Sequence, residues 1–449
     1  MNCKILTASA LMLVMASSGA WAKVSPVEAK KLGAELTLLG AETAGNEDGS
    51  IPVYNGGLMQ DAGANPLTNI YAHEKPLFII TAKNMVEFQH QLSDGQIALF
   101  KKYPDTYNMP VYKTHRSAAY PKSIYDKAKK NATNAQLVDG GNGLLNFDET
   151  VPFAIPSNGL EVIWNHVSRY RGGSVERNLA TFPVQRNGNF TPVRVRAQLT
   201  APQYLNDGFD KKYDENILFY YTSSIKSPAR LTGNVLLVHE TIDQVNQPRM
   251  AWLYNAGQRR VRRAPQIAYD APNQASDGLR TSDQIDMYNG APNKYNWKLM
   301  GKTEIYIPYN SYKLANPHVK YQDIVQVGHI NQDLTRYELH RVWKVEATLK
   351  EGERHIYGKR TFYVDEDSWQ IAIADHYDKR DVLWRVSEGH ALQFVNANIP
   401  WYVSTTNYDL LSGRYLVQLS NEEEQPFKFG NQVKRKSFTA SALRRSGKR

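Results

Sequence analysis

The segment Tyr337-Glu-Leu-His-Arg-Val-Trp-Lys-Val-Glu-Ala-Thr-Leu349 alternates between apolar and polar side chains along most of its length. Successive side chains of a β-strand point to opposite faces, so this alternation predicts a strand and is hard to obtain from a helix. One face would be buried and the other would be wet, as is typical of an antiparallel sheet. The apolar face is predicted to hold Tyr337, Leu339, Trp343, Val345, Ala347 and Leu349.

The same period of two occurs on both sides of this segment, which predicts one large antiparallel sheet. A sheet with one apolar face must cover that face, with helices or by curling towards a barrel. The predicted fold is therefore α+β and mainly antiparallel β, a curved sheet or half-open barrel with helices on its concave side. The other predicted strands are Ile217–Thr222, Val235–Thr241, Met250–Tyr254, Thr303–Ile307, His355–Val364, Trp369–Tyr377 and Val382–Val386.

Most helical signals lie upstream of the strands. Ser25-Pro-Val-Glu28 is a capping box that predicts a helix from Pro26 to about Leu38. Apolar spacing predicts further helices from Asn84 to about Tyr103, from Tyr120 to about Gln136, and from Ser157 towards Gly172. We therefore predict a signal peptide at 1–22, an N-terminal helical extension at 23–140 that packs on the sheet, the curved sheet at 141–430, and a basic flexible tail at 431–449.

The N-terminus has the three zones of a secretory signal peptide: Lys4, an apolar run from Ile5 to Met15, and a small-residue end at Ala20-Trp-Ala22. Cleavage is predicted after Ala22, which indicates an exported, periplasmic protein. The one cysteine, Cys3, precedes the apolar run, so it is neither a lipidation site nor part of the mature chain. In an exported protein, the formal charge of +10 indicates a role in solubility or in contact with an anionic membrane surface, and it does not indicate nucleic-acid binding.

A cluster of arginines follows an aromatic strand in Trp252-Leu-Tyr-Asn-Ala-Gly-Gln-Arg-Arg-Val-Arg-Arg-Ala-Pro265. Gly257 predicts a turn, so Trp252–Asn255 and Gln258–Arg263 should form a hairpin whose arginines lie at the sheet rim or pair with carboxylates. The guanidinium fork binds carboxylate or phosphate in two places. The head-group or ion-pair candidates are Arg259, Arg260, Arg262 and Arg263.

Aromatic and aliphatic residues of the predicted sheet are candidates for the wall of a ligand cavity, or for a closed core. Arg341 and Asp375 interrupt this apolar face, and a charge that points into an apolar interior is costly unless it is paired. We expect both to point inward and to be paired with each other or with the arginine cluster, as a structural ion pair or as a head-group site. The ligand-binding candidates are Trp252, Tyr254, Tyr337, Leu339, Arg341, Trp343, Val345, Trp369, Ile371, Ile373, Asp375 and Trp384.

Signals for catalysis or metal binding are weak. The sequence has no Gly-x-Ser-x-Gly, His-Glu-x-x-His or phosphate-loop motif. The histidines are scattered without ligand spacing, and Asp365-Glu-Asp367 is predicted to be a solvated hairpin tip rather than a calcium site. No catalytic residue, metal or cofactor is therefore predicted.

Several motifs resemble those of the domain of unknown function 1329 family of exported Gram-negative proteins. They are the arginine hairpin followed by Tyr269-Asp-Ala-Pro272, the stretch Pro152–His166 with Arg169-Tyr-Arg-Gly172, and Tyr363–Trp369 with Asp375-His-Tyr-Asp378. In place of an expected proline before Gly257, this chain has Ala256. The resemblance implies a fold similar to the LolA/LolB lipoprotein-localisation carriers, and partners among outer-membrane barrel proteins and resistance-nodulation-division (RND) transporters.

Together these features predict a periplasmic binding or carrier protein for a hydrophobic or lipid-like molecule, working with an envelope transport system. Two alternatives remain open: a periplasmic hydrolase of lipids or esters, and an assembly factor for an outer-membrane protein. A cavity would favour the carrier. An acid, a base and a nucleophile that converge on one cleft would favour the hydrolase, and a shallow apolar groove would favour the assembly factor.

Overall fold

The computed structural model describes residues 24–59, 65–264, 268–420 and 427–446, so the predicted signal peptide lies outside the described residues. The helices are α1 (Pro26–Ala29), α2 (Asp94–Lys102), α3 (Lys122–Asn134), α4 (Gly159–Ser168), α5 (Lys211–Asp214), α6 (Tyr321–Ile324) and α7 (Ala440–Ser446). Across these ranges, none of the helices is long and apolar enough to cross a bilayer. The strands are β1 (Phe78–Thr81), β2 (Asn108–Val111), β3 (Gln136–Val138), β4 (Gly143–Leu145), β5 (Ser174–Val184), β6 (Val193–Thr200), β7 (Ile217–Ser227), β8 (Val235–Thr241), β9 (Met250–Asn255), β10 (Arg260–Arg263), β11 (Tyr295–Pro308), β12 (Tyr337–Leu349), β13 (Lys359–Asp365), β14 (Ile371–Tyr377), β15 (Leu383–Phe394), β16 (Ile399–Asp409), β17 (Tyr415–Leu419) and β18 (Phe427–Phe429).

One sheet contains all of these strands except the small β3–β4 hairpin. Its order runs β1-β2-β12-β13-β14-β15-β16-β17-β5-β6-β7-β8-β9-β10, while β11 pairs with β12 and β18 pairs with β5. Neighbours are antiparallel apart from one parallel bridge, between Tyr337 and Val111. The sheet is curved and does not close among the described strands, which confirms the predicted fold class.

Strand β12 has the bounds that its alternation predicts, but its second face is wet only towards the C-terminal end, where Lys344 and Glu346 are half-buried and Thr348 is exposed. Glu338 and His340 are both buried, with exposed fractions of 0% and 1%. The N-terminal region covers this face: the backbone N–H of His115 donates to Glu338 at 2.8 Å, and the Thr114 hydroxyl donates to the carbonyl of Leu339 at 2.9 Å. The expectation of a solvated face is therefore wrong for the first part of the strand, because the sequence pattern does not reveal what a distant segment covers.

The N-terminal region is less helical than expected. Helix α1 ends at Ala29 instead of near Leu38, and the predicted helix over 84–103 is broken at Leu92, whose backbone is extended. Ser93 begins a new helix there, because Ser93 and Gln96 form a capping box. Strands β1 and β2 join the main sheet from this region, where no strand was predicted.

Helix α4 is the predicted short helix, and every one of its side chains is buried. It lies against β11 and β12 at Gly159, where an added Cβ would lie 2.9 Å from the carbonyl carbon of Lys298 and 3.0 Å from Val345 Cγ1. Trp164 Nε1 donates to the carbonyl of Gly141 at 2.8 Å. The helix therefore fills the interior side of the β11–β12 half of the sheet.

The C-terminal segment packs on the β7–β10 end of the sheet over residues 435–446, where a flexible tail was expected. Phe438 is buried and stacks on Tyr220, with ring centroids 5.2 Å apart. Leu443 is buried in the same cluster. Arg435 binds the buried carboxylate of Asp214 through two nitrogens, at 3.1 and 2.5 Å. Apolar residues spaced among the basic ones thus give this segment a docking face.

Candidate functional site

A cavity of about 140 Å³ lies on the inner face of β5–β8. Every second side chain along each strand faces it, as the period of a β-strand requires. Most of these side chains are aliphatic or aromatic, so the floor is apolar. The floor residues are Arg177, Leu179 and Thr181 of β5, Val193, Val195 and Leu199 of β6, Phe219, Tyr221, Ser223 and Ile225 of β7, and Leu236, Val238 and Glu240 of β8.

The segment 268–289, which we call the cover segment, closes the cavity on the side opposite the floor. Asp286 fixes its far end, accepting hydrogen bonds from Arg169 at 2.9 Å and from Arg171 at 2.8 Å. In its middle, the carbonyl of Gly278 accepts from Arg385 at 2.9 Å. The remaining lining residues are Arg171, Arg249, Asn273, Gln274, Ala275, Arg280, Ile285, Asp286, Asn289, Trp401 and Gln418.

Among the described residues, four arginines and two carboxylates line the cavity. Glu240 accepts from Arg249 at 2.8 Å, and Asp286 is engaged by the arginines that hold the cover segment. Those arginines help hold the pKa of Asp286 well below its usual range although its burial acts the other way. Within the described residues, Arg177 and Arg280 have no carboxylate partner, so one side of the lining carries uncompensated positive charge.

This lining offers no triad. Ser223 lines the cavity, but no histidine or cysteine is among the lining residues described above. Glu240 is held by Arg249, by the side-chain amide of Gln244 at 2.9 Å and by that of Asn289 at 3.0 Å. Its carboxylate oxygens are thus engaged by a guanidinium and two amides, and the chemistry that this geometry supports is binding of an apolar group beside a cationic wall.

The structure places the predicted wall residues in packed clusters, and none of them lines this cavity. Tyr337 and Leu339 lie in the cluster formed with α2 and β17. Trp343 and Trp369 stack with their centroids 6.1 Å apart. Val345 and Ile371 lie in the cluster around α4, and Ile373 lies on the opposite face of the sheet near β11. Trp252 and Tyr254 lie beneath α7. Trp384 lies near the surface, where its Nε1 donates to Asp409 at 3.1 Å.

Arg341 and Asp375 are both buried, as predicted, but the expected pairing between them is wrong. Arg341 contacts the carboxylates of Glu366 at 3.2 Å and Glu42 at 3.1 Å, on two separate loops that the sequence pattern did not connect with it. Asp375 lies instead against the start of α2, where Ser93 Oγ donates to it at 3.2 Å. The two side chains belong to different faces and neither reaches the arginine cluster.

The arginine cluster forms the predicted hairpin of β9 and β10 at the sheet rim. Arg259, Arg260, Arg262 and Arg263 are all exposed, and none of them lines the cavity. Arg259 and Arg260 share an open surface groove with Arg444 and Arg445 of α7. Two basic segments that are far apart in the sequence thus form one surface, which we call the basic groove.

The acidic turn Asp365-Glu-Asp367 is buried, so the expectation of a solvated hairpin tip is wrong. The N-terminal region covers it: Arg116 binds both oxygens of Asp367, at 2.9 and 2.7 Å. Ligand atoms of His340, Asp365 and Asp367 lie within 4.8 Å of one another, which is the spacing of a metal site. Because Arg116 already occupies the Asp367 carboxylate, a cation could bind only by displacing that bridge.

The cavity itself was missed by sequence reasoning, although its signal is present. Val193-Arg-Val-Arg-Ala-Gln-Leu199 alternates as regularly as β12 does, and β5 carries Arg177, Leu179 and Thr181 at the same spacing. Strands β7 and β8 were predicted, but their inner faces were not considered as a wall. Arg280 carries no local signal, because it lies in an irregular segment and reaches the cavity only through the tertiary fold.

Comparison with known proteins identifies relatives of this chain. Residues 79–444 match the family model described as protein of unknown function (DUF1329). An uncharacterized protein of Pseudomonas aeruginosa, PA3922, is 57% identical over 450 residues, which cover 99% of each chain.

Among solved structures, a DUF1329 family protein from Desulfovibrio piger aligns with a TM-score of 0.42 and 16% identity, covering 61% of this chain and 92% of the other. A LolA superfamily protein from Nitrosomonas europaea aligns with a TM-score of 0.38 and 12% identity, covering 63% and 98%. Similarities of this extent carry no conclusion about ligand or activity.

Proposed function

The chain belongs to the DUF1329 family of proteins of unknown function, so its own geometry has to indicate its role, and we propose that it is a periplasmic binding or carrier protein for a hydrophobic or amphiphilic molecule. The observation that carries this proposal is the apolar cavity between β5–β8 and the cover segment. Protein interiors are otherwise close-packed, so an apolar void of this kind is a natural place for an apolar guest.

The size of the cavity limits what it encloses. An engineered apolar cavity of roughly 150 Å³ holds benzene, and about 140 Å³ is therefore enough for about six carbons. Each buried CH₂ contributes about 0.8 kcal/mol of binding free energy, so a short alkyl segment gives a substantial driving force. A longer chain would extend beyond the volume that the cavity encloses.

A cavity-filling variant tests the proposal. Val195→Phe points a ring into the cavity from the centre of the floor, whereas Leu253→Phe adds the same ring at an exposed position of β9. We expect the full chain to bind octanol in calorimetry, Val195→Phe to weaken binding by about tenfold or more, and Leu253→Phe to leave it unchanged. A Val195→Phe variant that binds octanol as tightly as the wild type, or wild-type protein that binds none of octanol, octanoate and octyl phosphate, would refute the carrier role.

The periplasmic location and the partners form the remaining part of the proposal. Cleavage after Ala22 predicts that protein recovered from a periplasmic fraction begins at Lys23, which intact-mass measurement checks directly. We propose outer-membrane barrel proteins and RND-type transporters as partners, on the basis of the family resemblance alone. For an anionic membrane surface, the supporting observation is the basic groove, which gathers four exposed arginines at one end of the sheet.

A further inference from the structure

Arg280 is a buried cation without a counter-ion among the described residues. Its exposed fraction is 5%, and it lines the cavity. Nη2 donates to Asn273 Oδ1 at 2.9 Å and Nη1 to Gln418 Oε1 at 3.5 Å, and both partners are neutral amides. Burial lowers the pKa of Arg280 to about 10. A buried charge that lacks an opposite charge is costly, so this guanidinium would gain from an anion brought in by a ligand.

Other groups converge on the same part of the lining. Arg280 Nε and Trp401 Nε1 are buried donors that find no hydrogen-bond partner in the described part of the chain, whereas buried donors in folded proteins are nearly always satisfied. The guanidinium of Arg177 lies 5.3 Å above the ring of Trp401. Its charge also contributes to the lowered pKa of Arg280, which places the two cations close together. Like charges held near each other in a cavity wall favour an anionic guest.

We infer that the ligand is a single-chain amphiphile with an oxyanion head, a carboxylate or a phosphate, which Arg280 and Arg177 bind while its alkyl chain lies on the floor of β6–β8. A guanidinium suits either head because its parallel N–H groups match two oxygens. The volume of about 140 Å³ accommodates about six carbons, which is part of one alkyl chain. This inference rests on the proposed carrier function and specifies its ligand class.

Calorimetry of the full chain with matched eight-carbon probes tests the inference. Octanoate and octyl phosphate carry the two oxyanion heads, octanol carries the same chain without charge, and inorganic phosphate carries the head without a chain. We expect at least one charged amphiphile to bind about tenfold more tightly than octanol, since a charge-assisted pair contributes about 1.4 kcal/mol or more. The tighter of the two anions identifies the head as carboxylate or phosphate, and inorganic phosphate alone should bind more weakly than octyl phosphate.

Variants separate this inference from the carrier role. Arg280→Gln should reduce binding of the preferred anion about tenfold and leave octanol binding unchanged, and Arg177→Gln should act in the same direction if Arg280→Gln does not fold. Arg262→Gln, which removes one positive charge at an exposed rim position outside the cavity, serves as the control and should leave the binding of every probe unchanged. Any one of three results overturns the inference and leaves the carrier role standing. They are equal affinity for octanol and both anions, unchanged anion binding in the arginine variants, and inorganic phosphate that binds as tightly as octyl phosphate. Absence of binding for every eight-carbon probe overturns the carrier role itself.

Discussion

Asp375 lies with its Oδ1 3.2 Å from the hydroxyl of Ser93, the residue that caps helix α2. The approach is close enough that a Cβ added to Gly95 would lie 2.2 Å from the same oxygen. Burial nevertheless dominates, and it raises the pKa of Asp375 from 3.8 to about 7. The contact between β14 and α2 therefore contains a carboxyl group that is easiest to bury in its protonated form.

This contact predicts that the protein loses stability as the pH rises. The unfolded carboxyl ionises near pH 4 and the folded one near 7, so the stability present below pH 4 is lost as the pH rises through 7. The shift corresponds to up to about 4 kcal/mol. Asp375→Asn removes this titration, so urea midpoints of the variant between pH 5 and 8 should fall less than those of the wild type.

The buried carboxyl of Glu388 has its pKa raised to about 7 as well, mainly by burial, so part of the pH dependence should remain in Asp375→Asn. Glu351→Gln, at an exposed position, is the matched control and should keep the full wild-type slope. A slope in Asp375→Asn equal to that of the wild type would show that Asp375 is ionised in the folded protein throughout this range.

The substitution Arg341→Leu tests whether Arg341 belongs to a structural ion pair or to a ligand site. Arg341→Leu leaves the buried Glu366 with fewer positive neighbours, and breaking a buried pair costs about 3 kcal/mol. Because Arg341 does not line the cavity, we expect a lower unfolding midpoint with unchanged octanol affinity. Arg262→Leu, at an exposed rim position, should change neither quantity. Loss of binding in a folded Arg341→Leu protein would restore the head-group interpretation of this residue.

The fold was predictable because alternation is a local property. Strands β8 and β12 have the predicted bounds, and helix α4 follows the spacing of Leu160, Ile163 and Trp164. The sequence does not say which distant segment covers a face. Glu338 is buried for that reason, since the segment around His115 lies more than two hundred positions upstream of it.

The site was less predictable than the fold because a wall and a core have the same composition. Trp343 and Val345 are as apolar as Val193 and Val195, yet the first pair is packed against neighbours and the second faces the cavity. The two faces differ in what packs against them. Helix α4 occupies the space beside β12, whereas the cover segment leaves a cavity between itself and β6. No periodicity in residues 268–289 indicates that bridge, so Arg280 could not be singled out from the sequence.

Phe438 tests whether the C-terminal segment is part of the fold. Its ring stacks on Tyr220 at 5.2 Å, and truncation of a buried phenylalanine to alanine costs about 3–5 kcal/mol. We expect Phe438→Ala to increase amide hydrogen exchange in β8 and β9, which α7 contacts, and to leave β13 and β14 protected. Ser437→Ala alters an exposed neighbour and is the control. Unchanged exchange in β8 and β9 would mean that the segment adds nothing to that end of the sheet.

The basic groove is where the two arginine segments of the sequence meet, and it tests the proposed contact with membranes. Each exposed cation near an anionic surface contributes about 1 kcal/mol at physiological salt, so replacing Arg259, Arg260, Arg444 and Arg445 with glutamine should weaken binding to phosphatidylglycerol-containing vesicles by up to about a thousandfold. Binding to pure phosphatidylcholine vesicles should be weak for both proteins, and raising the salt concentration should abolish the difference.

A control variant with the same loss of charge distinguishes binding by the basic groove from general attraction by the net positive charge of the protein. If the control lowers vesicle binding as much as the groove variant does, the groove has no special role. The control replaces four exposed lysines elsewhere with glutamine: Lys83, Lys101, Lys129 and Lys350.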